Sequence, residues 1–168
     1  FPNQWHLSKI GATAAWDSVK GDGVTIAILD SGVDCSQPEL AASCVPGWNV
    51  PSNNSDTTDI HGHGTAVSST AAEIGDNGFA YAGVAYKAKI MPIRITNDPT
   101  NGYASCSDIA RGITWAADHG VKIASNSYYV IGCVDTVTVA ANYLASKGGI
   151  YVRAAGNGTN NDKIAVQL

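Results

Sequence analysis

The densest chemical signal in the chain is Asp59-Ile60-His61-Gly62-His63-Gly64-Thr65, two imidazoles each followed by a glycine. Glycine leaves little bulk to hide the rings, so at least one should reach a ligand. The small residues that follow (Gly64, Thr65, Ala66, Val67) read as the start of a helix, which puts His63 at a helix N-terminus. The positive end of the backbone dipole favours the neutral imidazole that a general base needs. His-x-His beside an Asp also offers ligands to zinc. Two weaker signals stand far away. Asp30-Ser31-Gly32 is either a turn former or a functional carboxylate. Asn157, in Ala154-Ala155-Gly156-Asn157, is either a left-handed turn residue or an amide donor for a developing oxyanion.

Short apolar strands must position these groups. Val24 to Leu29 runs β-branched and apolar into Asp30, and Lys89 to Ile95, Val121 to Ser125 and Ile150 to Ala154 read as further strands. Between them, Gly64 to Ile74 reads as a small-residue helix. Ser107 to His119 is a helix capped by Ser105 or Ser107 and stopped by Gly120. Asp135 to Lys147 is a helix capped by Asp135 and stopped by Gly148-Gly149. Strand and helix alternating in this way predict a parallel sheet with helices on its faces. Active sites in such sheets gather beyond the carboxyl ends of the strands, where Asp30 and Asn157 fall.

The 168 residues suit one compact unit. Hydrophobic residues make up 45% and charged residues 14%, with 10 Lys+Arg against 14 Asp+Glu and a net charge of −4. That balance excludes a polyelectrolyte grip on nucleic acid, and no apolar run is long enough to span a bilayer. Four cysteines (Cys35, Cys44, Cys106, Cys133) without a CxxC pair point to two disulfides. Three pairings are open; the one favoured has Cys35–Cys44 as a local clasp and Cys106–Cys133 as a tie between later loops. Disulfides and the absence of an initiator Met are read as a processed, secreted chain.

Together, Asp30-Ser31-Gly32, His63-Gly64-Thr65-Ala66-Val67 and Ala154-Ala155-Gly156-Asn157 resemble, in order and spacing, the Asp, His and oxyanion-Asn motifs of the subtilisin-like serine proteases. The resemblance runs from about Trp5 to Asn157 and includes Gly83-Val84-Ala85 and Ala124-Ser125-Asn126-Ser127. It implies a three-layer α/β fold, a mostly parallel sheet with helices on both faces. It implies that Asp30 orients His63, that His63 takes and returns the nucleophile's proton, and that Asn157 stabilises the oxyanion. His61 falls outside the matched position and receives no role. A polypeptide substrate would lie as an added strand between Asn101-Gly102-Tyr103 and Ser125-Asn126-Ser127, with Ala154 and Gly156 beside it. Family members often hold Ca²⁺ in the loop matching Gly75 to Gly83. Here the side chains of Glu39 and Asn77 and the backbone oxygens of Gly75, Phe79 and Tyr81 would supply it.

One element of the family pattern is missing. No Gly-Thr-Ser-type nucleophile motif occurs, and only eleven residues follow Asn157. Residues 1–168 are therefore expected to be the N-terminal part of one catalytic domain, inactive alone, with the serine on a second chain or segment. Two alternatives are a catalytically inactive relative that binds peptides or a partner, and a metal-dependent hydrolase built on His61, His63 and an Asp. Tyr128-Tyr129 stands where relatives place a Gly beside the specificity pocket, so a ring is expected to narrow that pocket or turn outward. Arg153, in an otherwise apolar strand, is expected to need an acidic or carbonyl partner outside the chain.

Overall fold

Ile26, Ala27, Ile28 and Leu29 are all buried, as a strand must be when both faces of its sheet are covered. In the computed structural model, which describes residues 3–79, 81–128 and 134–157, they form the middle of β1 (Thr25–Asp30). Four further strands join it: β2 (Trp48–Asn49), β3 (Lys89–Arg94), β4 (Ile123–Asn126) and β5 (Ile150–Arg153). The order is β2-β3-β1-β4-β5 and every pairing is parallel. The chain builds to one side of β1 through β2 and β3, then crosses to β4 and β5. The winding reverses about β1, which opens a crevice at its carboxyl end.

Alternate β1 residues serve the two faces. Ala27 and Leu29 join Ile93, Ile95 and Ala124 under α5 (Cys106–Asp118) and α6 (Val134–Ser146). Ile26 and Ile28 join Ile90, Leu40 and Ala72 on the opposite face, where α3 (Pro38–Ala41) and α4 (His63–Ala72) lie. The expected three-layer architecture, helices on both faces of a parallel sheet, is what the chain adopts.

Local chemistry explains the elements. Ser105 caps α5 by accepting the Asp108 N–H at 3.1 Å, and α5 buries Ile109, Gly112, Ile113, Ala116 and Ala117 along one face. In α4 the buried positions are Gly64, Ser68 and Ala72, a thin stripe at four-residue spacing that lets the helix lie close to the sheet. Pro92 has no N–H to give. Its strand bonds Ser43 and Val45 through Ile90, and pairing resumes at Trp48–Ile93, so Pro92 occupies the gap between.

Several sequence expectations shift. Strand β4 begins at Ile123, not Val121, and Asp135 lies inside the first turn of α6 instead of capping it. The short helices α1 (Trp5–Lys9), α2 (Ala12–Ala15) and α3 carry too little periodicity to be read in advance. Among the described strands β5 is an edge, with Ile150 56% and Val152 51% exposed. Arg153 accordingly sits half-buried at that edge, not in a buried strand, and makes no ion pair among the described residues.

Candidate active site

Asp30 ends β1 and His63 opens α4, so the strand delivers a carboxylate and the helix an imidazole to the same crevice. Nδ1 of His63 lies 2.8 Å from Oδ1 and 3.0 Å from Oδ2 of Asp30. The Asp30 residue is 0% exposed, whereas the His63 side chain is 46% exposed. Burial pushes the Asp30 carboxyl above the usual carboxylate range, and the bonds from His63 and from the Ser31 N–H (2.7 Å) only partly offset it. Facing an ionised carboxylate, Nδ1 must be the donor, which leaves the lone pair on Nε2.

A second carboxylate holds this pair in place. Asp59 accepts from the Ser31 hydroxyl (2.8 Å), the N–H groups of His61 (3.0 Å) and Gly62 (2.8 Å), and the N–H of Thr65 (2.9 Å) as well as its hydroxyl. The Ser31 hydroxyl in turn accepts the Gly64 N–H at 3.0 Å, and the Thr65 hydroxyl accepts the Asp34 N–H at 2.9 Å. The backbone at both ends of His63 is thus tied to the residue following Asp30. Burial alone would raise the Asp59 pKa, but the bonds from Thr65, His61, Gly62 and Ser31 win and hold it at about 2. In sequence Asp59 was visible only as a possible zinc ligand. Its carboxylate is turned into this network, and among the described residues no three His, Cys, Asp or Glu side chains converge as a metal-dependent hydrolase would need.

His63 opens onto a cleft of about 420 Å³ lined by His61, Asn101, Gly102, Tyr103, Ala104, Ser127 and Tyr128. The Asn101–Tyr103 loop is braced: Asp98 accepts the N–H groups of Thr100 (2.9 Å) and Asn101 (3.1 Å), and the Thr96 hydroxyl donates to the Tyr103 carbonyl. Across the cleft, the Tyr128 ring stands edge-on to His63 at 6.4 Å between centroids. Burial, reinforced by the charges of Asp30, Asp59 and Asp98, pushes its hydroxyl well up, so it remains a neutral wall. Of the two tyrosines expected here Tyr128 turns into the cleft, and Tyr129 lies outside the described residues.

The other predicted residues divide. From the Ser125–Ser127 segment only Ser127 lines the cleft. Ser125 pairs within the sheet, and Asn126 is buried, its side-chain amide donating to the Tyr151 hydroxyl at 2.6 Å and its carbonyl accepting the Ala154 N–H at 3.0 Å. Ala154, Gly156 and Asn157 follow β5 at the same carboxyl edge of the sheet as Asp30; Gly156 takes φ 99° and Asn157 is exposed. In the loop expected to hold calcium, the Asn77 amide donates to Glu39 Oε2 at 2.7 Å, while the Asn77 oxygen accepts the Phe79 N–H at 3.0 Å. The two predicted side chains therefore touch, but through the Asn77 amide nitrogen, while its oxygen faces the Phe79 N–H. Cys35 and Cys44 form a disulfide; Cys106 is also disulfide-bonded, and its predicted partner Cys133 lies outside the described residues.

A doubly wound parallel sheet with this carboxylate–imidazole couple at its carboxyl edge defines a subtilisin-like α/β chain. It belongs to the subtilase family, whose sequence profile matches residues 21–167. Thermitase of Thermoactinomyces vulgaris is 38% identical over 157 residues, covering 94% of this chain and 56% of thermitase. The thermophilic serine proteinase of Bacillus sp. (strain AK1) is 37% identical over 147 residues, 85% of this chain and 35% of that protein. The crystal structure of fervidolysin from Fervidobacterium pennivorans, described as a keratinolytic enzyme related to subtilisin, superposes with a TM-score of 0.72 at 32% identity, covering 89% of this chain and 23% of that one. The chain thus spans about half of thermitase and less of the other two.

Proposed function

We propose that this chain supplies the carboxylate, the imidazole and the oxyanion amide of a secreted serine endopeptidase, and that the nucleophilic serine comes from a segment outside residues 1–168. The observation that carries this reading is the contact between His63 Nδ1 and the fully buried Asp30.

In the reaction, Asp30 holds the tautomer with hydrogen on Nδ1, so Nε2 accepts the proton of the serine hydroxyl as its oxygen attacks the peptide carbonyl. The resulting imidazolium is stabilised by Asp30 and returns that proton to the departing amine. The Asn157 side-chain amide donates to the oxyanion; in subtilisin, loss of such a donor costs about 10²–10³ in turnover. Water then repeats the sequence on the acyl-enzyme. The substrate is an extended polypeptide running past Asn101, Gly102, Tyr103 and Ser127, a reading supported by the braced loop and by the cleft that those residues line.

Three further readings belong with this one. A second polypeptide bearing the serine docks against β5, a border among the described strands, and covers the exposed Ile150 and Val152 on its face. A structural Ca²⁺ is held by Glu39 and Asn77 with the backbone oxygens of Gly75, Phe79 and Tyr81, a hard-oxygen set that suits it. Secretion is supported by the Cys35–Cys44 disulfide, and among the described residues no helix is long and apolar enough to cross a membrane.

Mass spectrometry of the natural protein under denaturing conditions tests the arrangement, together with labelling by a fluorophosphonate. A second peptide that carries Gly-Thr-Ser and takes up the label supports the enzyme. A protein that binds peptides but takes up no label is the inactive relative instead.

A further inference from the structure

His61 takes no part in the reaction proposed above. Its ring is exposed and forms the cleft wall beside Gly102, where an added Cβ would lie 3.8 Å from His61 Cδ2. The His61 and His63 rings are 6.4 Å apart between centroids and inclined at 69°. The loop carrying them is fixed, because Asp59 takes the N–H groups of both His61 and Gly62.

Two imidazoles bound to one ion at metal–nitrogen distances of about 2.0–2.1 Å have centroids about 5 Å apart around a tetrahedral ion such as Zn²⁺ and about 6.5 Å apart when trans across a square-planar ion such as Cu²⁺ or Ni²⁺. The observed 6.4 Å matches the trans spacing, and a tetrahedral ion requires the exposed His61 ring to turn toward His63. His63 is already prepared as a ligand. Its Nδ1 is bonded to the buried Asp30, which fixes the ring and leaves Nε2 as the donor. A carboxylate behind the imidazole in this way raises its basicity toward a metal.

We propose that His61 and His63 form a site for a divalent transition-metal ion of the imidazole-preferring class, such as Zn²⁺, Cu²⁺ or Ni²⁺, with water completing its coordination. The site does not take Ca²⁺ or Mg²⁺, because these ions require oxygen donors. With two protein ligands and no third His, Cys, Asp or Glu converging among the described residues, the ion exchanges freely. Binding occupies the Nε2 lone pair and so reversibly inhibits proton transfer. The inhibition rests on the proposed role of His63 as base; the binding does not.

Isothermal titration of the natural protein, with its serine-bearing segment, against ZnCl₂ alone in a non-chelating buffer tests the site. One ion per chain at micromolar affinity is expected. His61→Gln should weaken binding about tenfold or more, while His119→Gln, remote on α5's end, should leave it unchanged. His61 is exposed, so both variants should retain the parent's circular dichroism. No saturable binding up to about 1 mM Zn²⁺, or unchanged binding in His61→Gln, overturns the proposal. In a preparation in which the serine is present, Zn²⁺ should inhibit the parent and spare His61→Gln. Binding that is lost in His61→Gln, with hydrolysis untouched by the ion, upholds the site and overturns the assignment of His63 as base.

Discussion

A methyl group added to Gly64 would lie 2.0 Å from the carbonyl oxygen of Gly32 and 3.0 Å from Cβ of Asp30. The first turn of α4 therefore rests directly on the backbone that follows Asp30, and this close approach sets the distance between Asp30 and His63. Gly64→Ala is expected to cost about 3 kcal/mol, because backbone on both sides has nowhere to go. Gly62→Ala meets open space but takes φ 92°, and is expected to cost only about 1–2 kcal/mol. Urea denaturation of the two variants beside the parent checks the order.

Asp30 is expected to cost stability at neutral pH. Burial holds its pKa above the ordinary value, so between the two values the folded chain binds more protons than the unfolded one. Stability then falls as pH rises through that window. Asp30→Asn removes this contribution. Its melting temperature should match or exceed the parent's at pH 7, with the advantage shrinking toward pH 4. Activity, measured with the serine present, should fall by about 10⁴ because the imidazole loses its tautomer partner.

Asp59 behaves in the opposite sense. Its folded pKa is about 2, below the ordinary carboxylate value, so its contribution is complete above that ordinary value and is lost as pH falls toward 2. Asp59→Ala should destabilise the chain at pH 7 by about 1 kcal/mol, after discounting for solvent screening of a partly exposed group. The difference from the parent should narrow below about pH 4. Denaturant midpoints at pH 7 and pH 3 test both statements.

The Cys35–Cys44 bond closes a loop of nine-residue separation. On the chain-entropy account its removal by Cys35→Ser/Cys44→Ser should cost about 2–3 kcal/mol. A melting temperature that is unchanged in the double variant would contradict this.

The strands and long helices were legible because burial dictates them. The run from Ile26 to Leu29 has no polar interruption, and Ser105 and Gly120 bracket α5 by cap and stop chemistry alone. The meeting of Asp30 with His63 was not legible from periodicity. Thirty-three positions separate them, and only the likeness of three short motifs to a family brought them together. Asp59 was harder still, since no pattern tells whether a loop carboxylate faces a ligand or its own backbone. Asn126 looked like part of a substrate strand, but its side chain faces Tyr151 inside the sheet. The expectation there concerned the backbone of the segment, and no sequence pattern foretold where the Asn126 side chain goes.

The position of β5 at the border of the described sheet has a consequence for handling the chain. Ile150 and Val152 lie on a border whose backbone has no neighbour among the described strands. Any extended segment of suitable pattern can hydrogen-bond there, including the same strand of another copy. Dilution and added charge near residue 150 should therefore keep preparations clear, whereas crowding should drive them toward ribbons joined border to border.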